Sequence, residues 1–134
     1  MNNYTELLRQ HNLKATPQRL AITDILNMHG HVSIEFLYEQ MLNKFNSISL
    51  ATIYKNINIM LENAFVQEVK IPHSKSVYEL TKEVHSHLVC DNCGAVQDIT
   101  VPIHTILEQT DNTQEFEIKS ASVVFTGICK ECKN

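Results

Sequence analysis

Cysteine and histidine carry the most legible chemistry in this chain. Its four cysteines fall in two Cys-x-x-Cys pairs, Cys90 with Cys93 and Cys129 with Cys132. A two-residue spacer lets both thiolates of a pair meet one ion. Two such pairs supply the four-sulfur set that a tetrahedral structural zinc ion takes. Two disulfides are the competing use of these residues, and they need an oxidising compartment. A closed four-sulfur site leaves no open coordination position, so no catalysis is expected there. Residues 94–128 make a longer gap than a compact zinc finger has, so folded structure must lie between the pairs.

His85 and His87 stand just before the first pair. If residues 85–90 form a strand, His85, His87 and Val89 face one way and Ser86, Leu88 and Cys90 the other. The histidines then cannot join the sulfur site, and a second metal position with nitrogen and oxygen ligands is inferred on the opposite face. Asp98 on the next strand, Glu79 at the end of an earlier one, and His31 ahead of a helix cap add donors. Taken alone, two hydrogen-bonded histidines are the plainer reading of the pair. Imidazole with carboxylate suits Fe(II), Mn(II) or Zn(II) and excludes none of them. His11, His29, His73 and His104 show no partner in the sequence and are left out of the site. Glu115, Glu117 and Glu131 are read as solvated.

At 134 residues the chain can bury a core, as one domain or two small ones. The first residues are polar and charged, with no apolar stretch of a secretory signal. No apolar run reaches membrane-spanning length. A cytoplasmic protein with reduced cysteines and no membrane partner is expected. The net charge of −4 is unevenly spread. Residues 1–75 carry seven Lys/Arg against six Asp/Glu, and the remainder four against nine. A global acidic surplus does not exclude a local basic face that binds DNA.

The elements that must position these residues come in two kinds. Residues 3–11 read as a short helix with Leu7 and Leu8 inward. Thr16-Pro17 starts a second helix, Thr as N-cap and Pro at the first helical position, and Gly30 ends it. Ser33 caps a third, with Leu37, Met41, Leu42 and Phe45 inward. Ser49 caps a fourth, reaching about Glu62, with Ile53, Ile57, Met60 and Leu61 inward. The period then changes. Residues 66–71 and 76–80 read as strands around a turn at 72–75. Helices followed by a hairpin are the plan of a winged helix-turn-helix over residues 1–80. Residues 49–62 would be its recognition helix, and Thr52, Tyr54, Lys55 and Asn56 offer groups for base edges and phosphates. An ordinary solvated helix face is the plainer alternative. Residues 81–84 read as a hinge. Within 85–134, strands at 85–89, 95–100 and 116–126 and a helix at 102–110 make a small α/β domain. The fold class is therefore α+β.

Several stretches together resemble the ferric uptake regulator family. They are Ala15-Thr16-Pro17-Gln18-Arg19, Leu50-Ala51-Thr52-Ile53-Tyr54, the run from His85 to Gly94, and the closing Cys129-x-x-Cys132. The resemblance covers nearly the whole chain. It implies a dimeric, metal-dependent bacterial repressor with a winged-helix N-terminal domain and an α/β dimerisation domain pinned by the four-cysteine zinc site. It implies a homodimer on a palindromic double-stranded operator. It also implies a regulatory Fe(II) or Mn(II) site at the hinge, formed by His31, Glu79, His85, His87 and Asp98. Tyr54 falls where members touch bases, and Lys14 where a basic residue reaches the minor groove.

Asp98 resembles the peroxide-sensing branch, in which bound iron reacts with peroxide and a ligand histidine, here His31 or His85, is oxidised. Glu79 resembles the iron-sensing branch instead, and Lys55 matches neither. A further site of many iron- and zinc-sensing members would need ligands at Ser86, Thr105 and Ala121, which these residues supply poorly. The reading favours a peroxide-responsive repressor over an iron-responsive uptake regulator. A metal-dependent hydrolase and a zinc-pinned adaptor are the competing classes. The sequence shows no substrate pocket, glycine-rich loop or poised nucleophile for the first.

Overall fold

The computed structural model describes residues 4–82, 85–111 and 115–133. The chain divides into two compact units, Met1–Thr81 and Lys82–Asn134. Residues 83 and 84 of the expected hinge, and Asn3 of the first expected helix, lie outside the described residues.

Side-chain caps set the helices of the first unit. After α1 (Tyr4–Gln10), Thr16 caps α2 (Pro17–His29) by accepting from the Arg19 N–H at 3.3 Å. Ser33 caps α3 (Ile34–Lys44) through the Phe36 N–H, and Ser49 caps α4 (Leu50–Glu62) through the Thr52 N–H, both at 3.1 Å. Each cap satisfies a backbone donor that the first turn leaves unpaired. Gly30 stops α2 with a φ of 79°, a backbone that side chains with a Cβ resist. Apolar residues at helical spacing then meet in one core, with Leu8, Ile22, Leu26, Leu37, Met41, Ile53, Ile57 and Met60 at its centre. Leu7 differs from expectation: it is 39% exposed, because a helix of seven residues turns only one face, that of Leu8, to the core.

The hairpin of this unit is β1 (Val66–Val69) against β2 (Val77–Leu80), antiparallel, with Gln67 opposite Glu79. The strands are shorter than the 66–71 and 76–80 expected. Pro72 has no N–H for a ladder, and His73 takes a positive φ of 60°, so the connection leaves the sheet early. Tyr78 also bridges Val32, which ties the α2–α3 connection to β2. Helices with a two-stranded wing are the winged helix-turn-helix arrangement.

The second unit is a three-stranded sheet in the order β4 (Val96–Ile99), β3 (Ser86–Cys90), β5 (Val124–Gly127), with α5 (Ile103–Glu108) between β4 and β5 in sequence. β3 pairs antiparallel with β4 and parallel with β5. The expected strand over 116–126 is confined to 124–127. Strand β3 has five residues, and its pairing with β5 begins at His87 opposite Val124. Among the described residues, 116–122 therefore have no strand beside them. No helix among the described residues is long and apolar enough to cross a membrane.

Candidate metal centres and nucleic-acid face

The first Cys-x-x-Cys forms the turn from β3 to β4. The turn closes by Gly94 N–H donating to the Cys90 carbonyl at 3.0 Å, with Gly94 at a φ of 77°. The second pair follows β5 in a similar knuckle, where the Cys132 and Lys133 N–H groups donate to the Cys129 carbonyl at 3.0 Å. Because β5 lies beside β3, the knuckles meet. One sulfur from each of the four cysteines lies within 4.8 Å of the others, and no disulfide joins them. The Cys93 and Cys129 sulfurs are 3.8 Å apart. With zinc–sulfur bonds of about 2.3 Å, the edge of a tetrahedron is about 3.8 Å. The four-cysteine cluster therefore fits a structural zinc ion.

Backbone geometry prepares this cluster for a cation. The N–H groups of Cys93 and Cys129 donate to Cys90 Sγ at 3.5 and 3.3 Å. They pull the Cys90 thiol down to about 6. The Cys93 thiol gains an opposing backbone bond at Ala95, but hydrogen bonds with the sulfurs of Cys90 and Cys129 outweigh it and push Cys93 up to about 11. Four sulfurs at one point cannot all be anionic without a cation among them.

The nitrogen and oxygen donors are built separately in each unit. In the second, His87 lies opposite Asp98 across β3 and β4. Asp98 Oδ1 is 3.4 Å from both His85 Nε2 and His87 Nε2. The two imidazoles meet edge to face with centroids 4.6 Å apart. Lys82 Nζ holds the other oxygen of Asp98 at 2.7 Å. In the first unit, Glu79 on β2 is fully buried, and its Oε2 lies 2.6 Å from His31 Nε2. Its Oε1 accepts from the Gln67 amide at 2.6 Å. A buried carboxylate is tolerated only with such partners. These donors suit a divalent ion of borderline hardness.

The expected DNA-facing residues divide. On α4, Tyr54 is 43% exposed, and Lys55 is exposed beside it. Lys14 is also exposed. The Thr52 hydroxyl shares a hydrogen bond of 3.0 Å with Ser49 Oγ. Asn56 points inward instead and is 7% exposed. Its Oδ1 accepts from Arg19 Nε at 3.2 Å, and its amide donates to the Thr52 carbonyl at 3.0 Å. Leu50, Ala51 and Asn58 share the exposed face with Tyr54 and Lys55 and were not singled out from the sequence. Arg19 and Gln67 were missed too, since their partners lie across the fold. Two histidines without visible partners have them: His11 Nδ1 is 3.1 Å from the Asn63 carbonyl oxygen, and His29 meets Phe36 edge to face.

A winged helix, a four-cysteine cluster that fits zinc and a set of imidazole and carboxylate donors are the parts of a metal-responsive transcriptional repressor. The chain belongs to the ferric uptake regulator family, whose sequence model matches residues 10–126. It is similar to the peroxide-responsive repressor PerR of Staphylococcus epidermidis, 31% identical over 94% of this chain and 85% of that protein. It is also similar to the crystal structure of the Campylobacter jejuni peroxide stress regulator, at 34% identity and a TM-score of 0.75, covering 98% of this chain and all of the other. The Vibrio cholerae ferric uptake regulator, whose crystal structure reveals a rearrangement of its DNA-binding domains, superposes with a TM-score of 0.77 at 28% identity, over 95% of this chain and 100% of that one.

Proposed function

We propose that this chain is a DNA-binding, peroxide-responsive repressor that acts as a homodimer. The observation that carries the reading is the similarity over nearly the full chain to peroxide regulators, at 31% and 34% identity, together with aspartate rather than glutamate at position 98. In this reading His31 and Glu79 of the winged unit and His85, His87 and Asp98 of the sheet unit share one divalent ion, Fe(II) or Mn(II). Residues 81–84 form the hinge between the two domains.

Sharing one ion restricts the angle between the units. A dimer restricted in this way presents two α4 helices at the spacing of a palindromic operator. Tyr54 and Lys55 then face base edges and phosphates, with Lys14 at the backbone or minor groove. Arg19 and Asn56 support that surface from inside. Fe(II) held by these residues would supply redox chemistry toward hydrogen peroxide. Peroxide would be the two-electron oxidant, so that a ring C–H of His31 or His85 becomes C–OH and water is the other product. The modified ring is a poor ligand, the units are released from their fixed angle, and the operator is freed. The cysteines stay bystanders, since sulfurs closed around zinc are shielded.

The test is operator binding by zinc-containing protein loaded with Fe(II) or with Mn(II), each challenged anaerobically with peroxide and then digested for peptide masses. Release with Fe(II) alone, with one oxygen added to the His31 or His85 peptide, is expected. Release only on removing iron, with both peptides unmodified, would replace this reading with an iron-responsive uptake regulator. Glu79 is the residue that favours this second reading, because it resembles the iron-sensing branch.

A further inference from the structure

The carboxylate of Glu79 is divided between two partners. Glu79 is fully buried on β2, and its neighbour across the hairpin is Gln67 on β1. The Gln67 amide donates to Oε1 at 2.6 Å, while Oε2 lies 2.6 Å from His31 Nε2. We propose that Gln67 is a positioning residue of the regulatory site: it anchors one oxygen of Glu79 so that only the other is presented, beside His31, to a divalent ion. The inference rests on the reading above that His31 and Glu79 are ligands.

A glutamate side chain ends in a torsion with a broad, roughly two-fold profile, so its carboxylate turns easily unless something fixes it. A ligand that must be oriented when the ion arrives loses part of its binding energy to that ordering. A neighbouring side chain that already bonds the non-ligating oxygen removes the loss. Gln67 can do this because an antiparallel register sets its side chain beside that of Glu79 on the same face. Its neighbour Glu68 cannot, since alternate residues of a strand face opposite ways. Glu68 instead accepts from the Ser76 hydroxyl at 2.5 Å. An amide is also the fitting donor: it has N–H groups for the carboxylate and no charge to repel a cation.

Mn(II) binding to the zinc-containing full chain tests the proposal, with free Mn(II) read by its electron paramagnetic resonance signal. Leucine at position 67 keeps the volume and suits a strand, but it cannot donate. Q67L is expected to weaken Mn(II) binding about 10- to 100-fold, the usual effect of losing a ligand's outer partner. E68A, on the opposite face of the same strand, is expected to leave the affinity unchanged. The decisive comparison is Q67L made in an E79A background. If Gln67 acts through Glu79, the double variant binds Mn(II) as E79A does. Wild-type affinity in Q67L, or a full additional loss in the double variant, overturns the positioning role. A wild-type protein that takes up no Mn(II), or an E79A variant that binds it normally, removes the ligand assignment itself. The two failures are therefore distinguishable.

Discussion

At the scale of single residues, charge decides what each side chain can do. Cys90 is drawn down to about 6 by backbone N–H groups, and Cys93 is pushed up to about 11 by the other sulfurs, both from an ordinary value of 9.0. For the zinc-free protein the signs oppose. A thiol lowered by folding contributes stability that is present above its unfolded value and lost as pH falls through its folded one. Cys90 therefore destabilises the zinc-free fold as pH drops from about 9 to about 6. A thiol raised by folding does the reverse, so Cys93 destabilises it as pH climbs from about 9 to about 11. The cluster's contribution should peak near pH 9. Unfolding midpoints of chelated protein across pH would show this as a difference from C90S, which flattens the acid limb, and from C93S, which reduces the alkaline one and leaves the part due to Cys132, whose thiol is also raised by the neighbouring sulfurs. Identical profiles for all three would mean that the sulfurs do not interact as described.

Among elements, α4 shows how side chains two residues apart divide labour. Asn56 is inward and hydrogen-bonded to Arg19, while Tyr54 is outward. N56A strands the Arg19 contact and should cost about 1–3 kcal/mol of stability, read in denaturant unfolding. Y54A should leave that stability nearly unchanged and weaken operator binding. The reverse pattern would put the DNA face on the other side of the helix.

The helices were legible because their signals are local. Thr16, Ser33 and Ser49 each bond an N–H three residues on, and the apolar spacing needs no partner to be read. The hairpin register was not. A turn confined to residues 72–75 pairs Ile71 with Ser76 and so sets Glu68 opposite Glu79, whereas the observed register sets Gln67 there. One residue of slip moves every side chain to the other face, which is why Gln67 stayed hidden. The length of β5 was illegible for a related reason. A strand extends only as far as its neighbour, and β3 supplies five residues. The sulfur site was legible from spacing alone. His31 and Glu79 stood out as candidate donors by residue type, but their 2.6 Å approach goes with the bridge between Val32 and Tyr78 that no local pattern announces.

Across the whole molecule, the two units are stabilised by different means. Every member of the main hydrophobic cluster belongs to the first unit. In the second, among the described residues, Val89 and Cys90 are the buried hydrophobics, while Leu88, Ile106, Phe116, Ile118, Phe125 and Ile128 remain exposed. Burying a large apolar side chain contributes about 1.5–3 kcal/mol. Val89 and a cysteine are a small core for a unit of this size. Structural zinc in small domains contributes roughly 10–16 kcal/mol of apparent binding energy near neutral pH, and a second copy of the chain would cover the apolar side chains. The sheet unit should therefore depend on zinc, and the winged unit should not. Stripping zinc with a strong chelator and following amide hydrogen exchange tests this. Protection is expected to fall in β3, β4 and β5, whose opening becomes easier without the ion, and to survive unchanged in α2, α3 and α4. If the three strands stayed protected without zinc, packing between the copies would be the main source of their stability. If the helices lost protection as well, the units would unfold together, and the winged unit's core would not suffice alone.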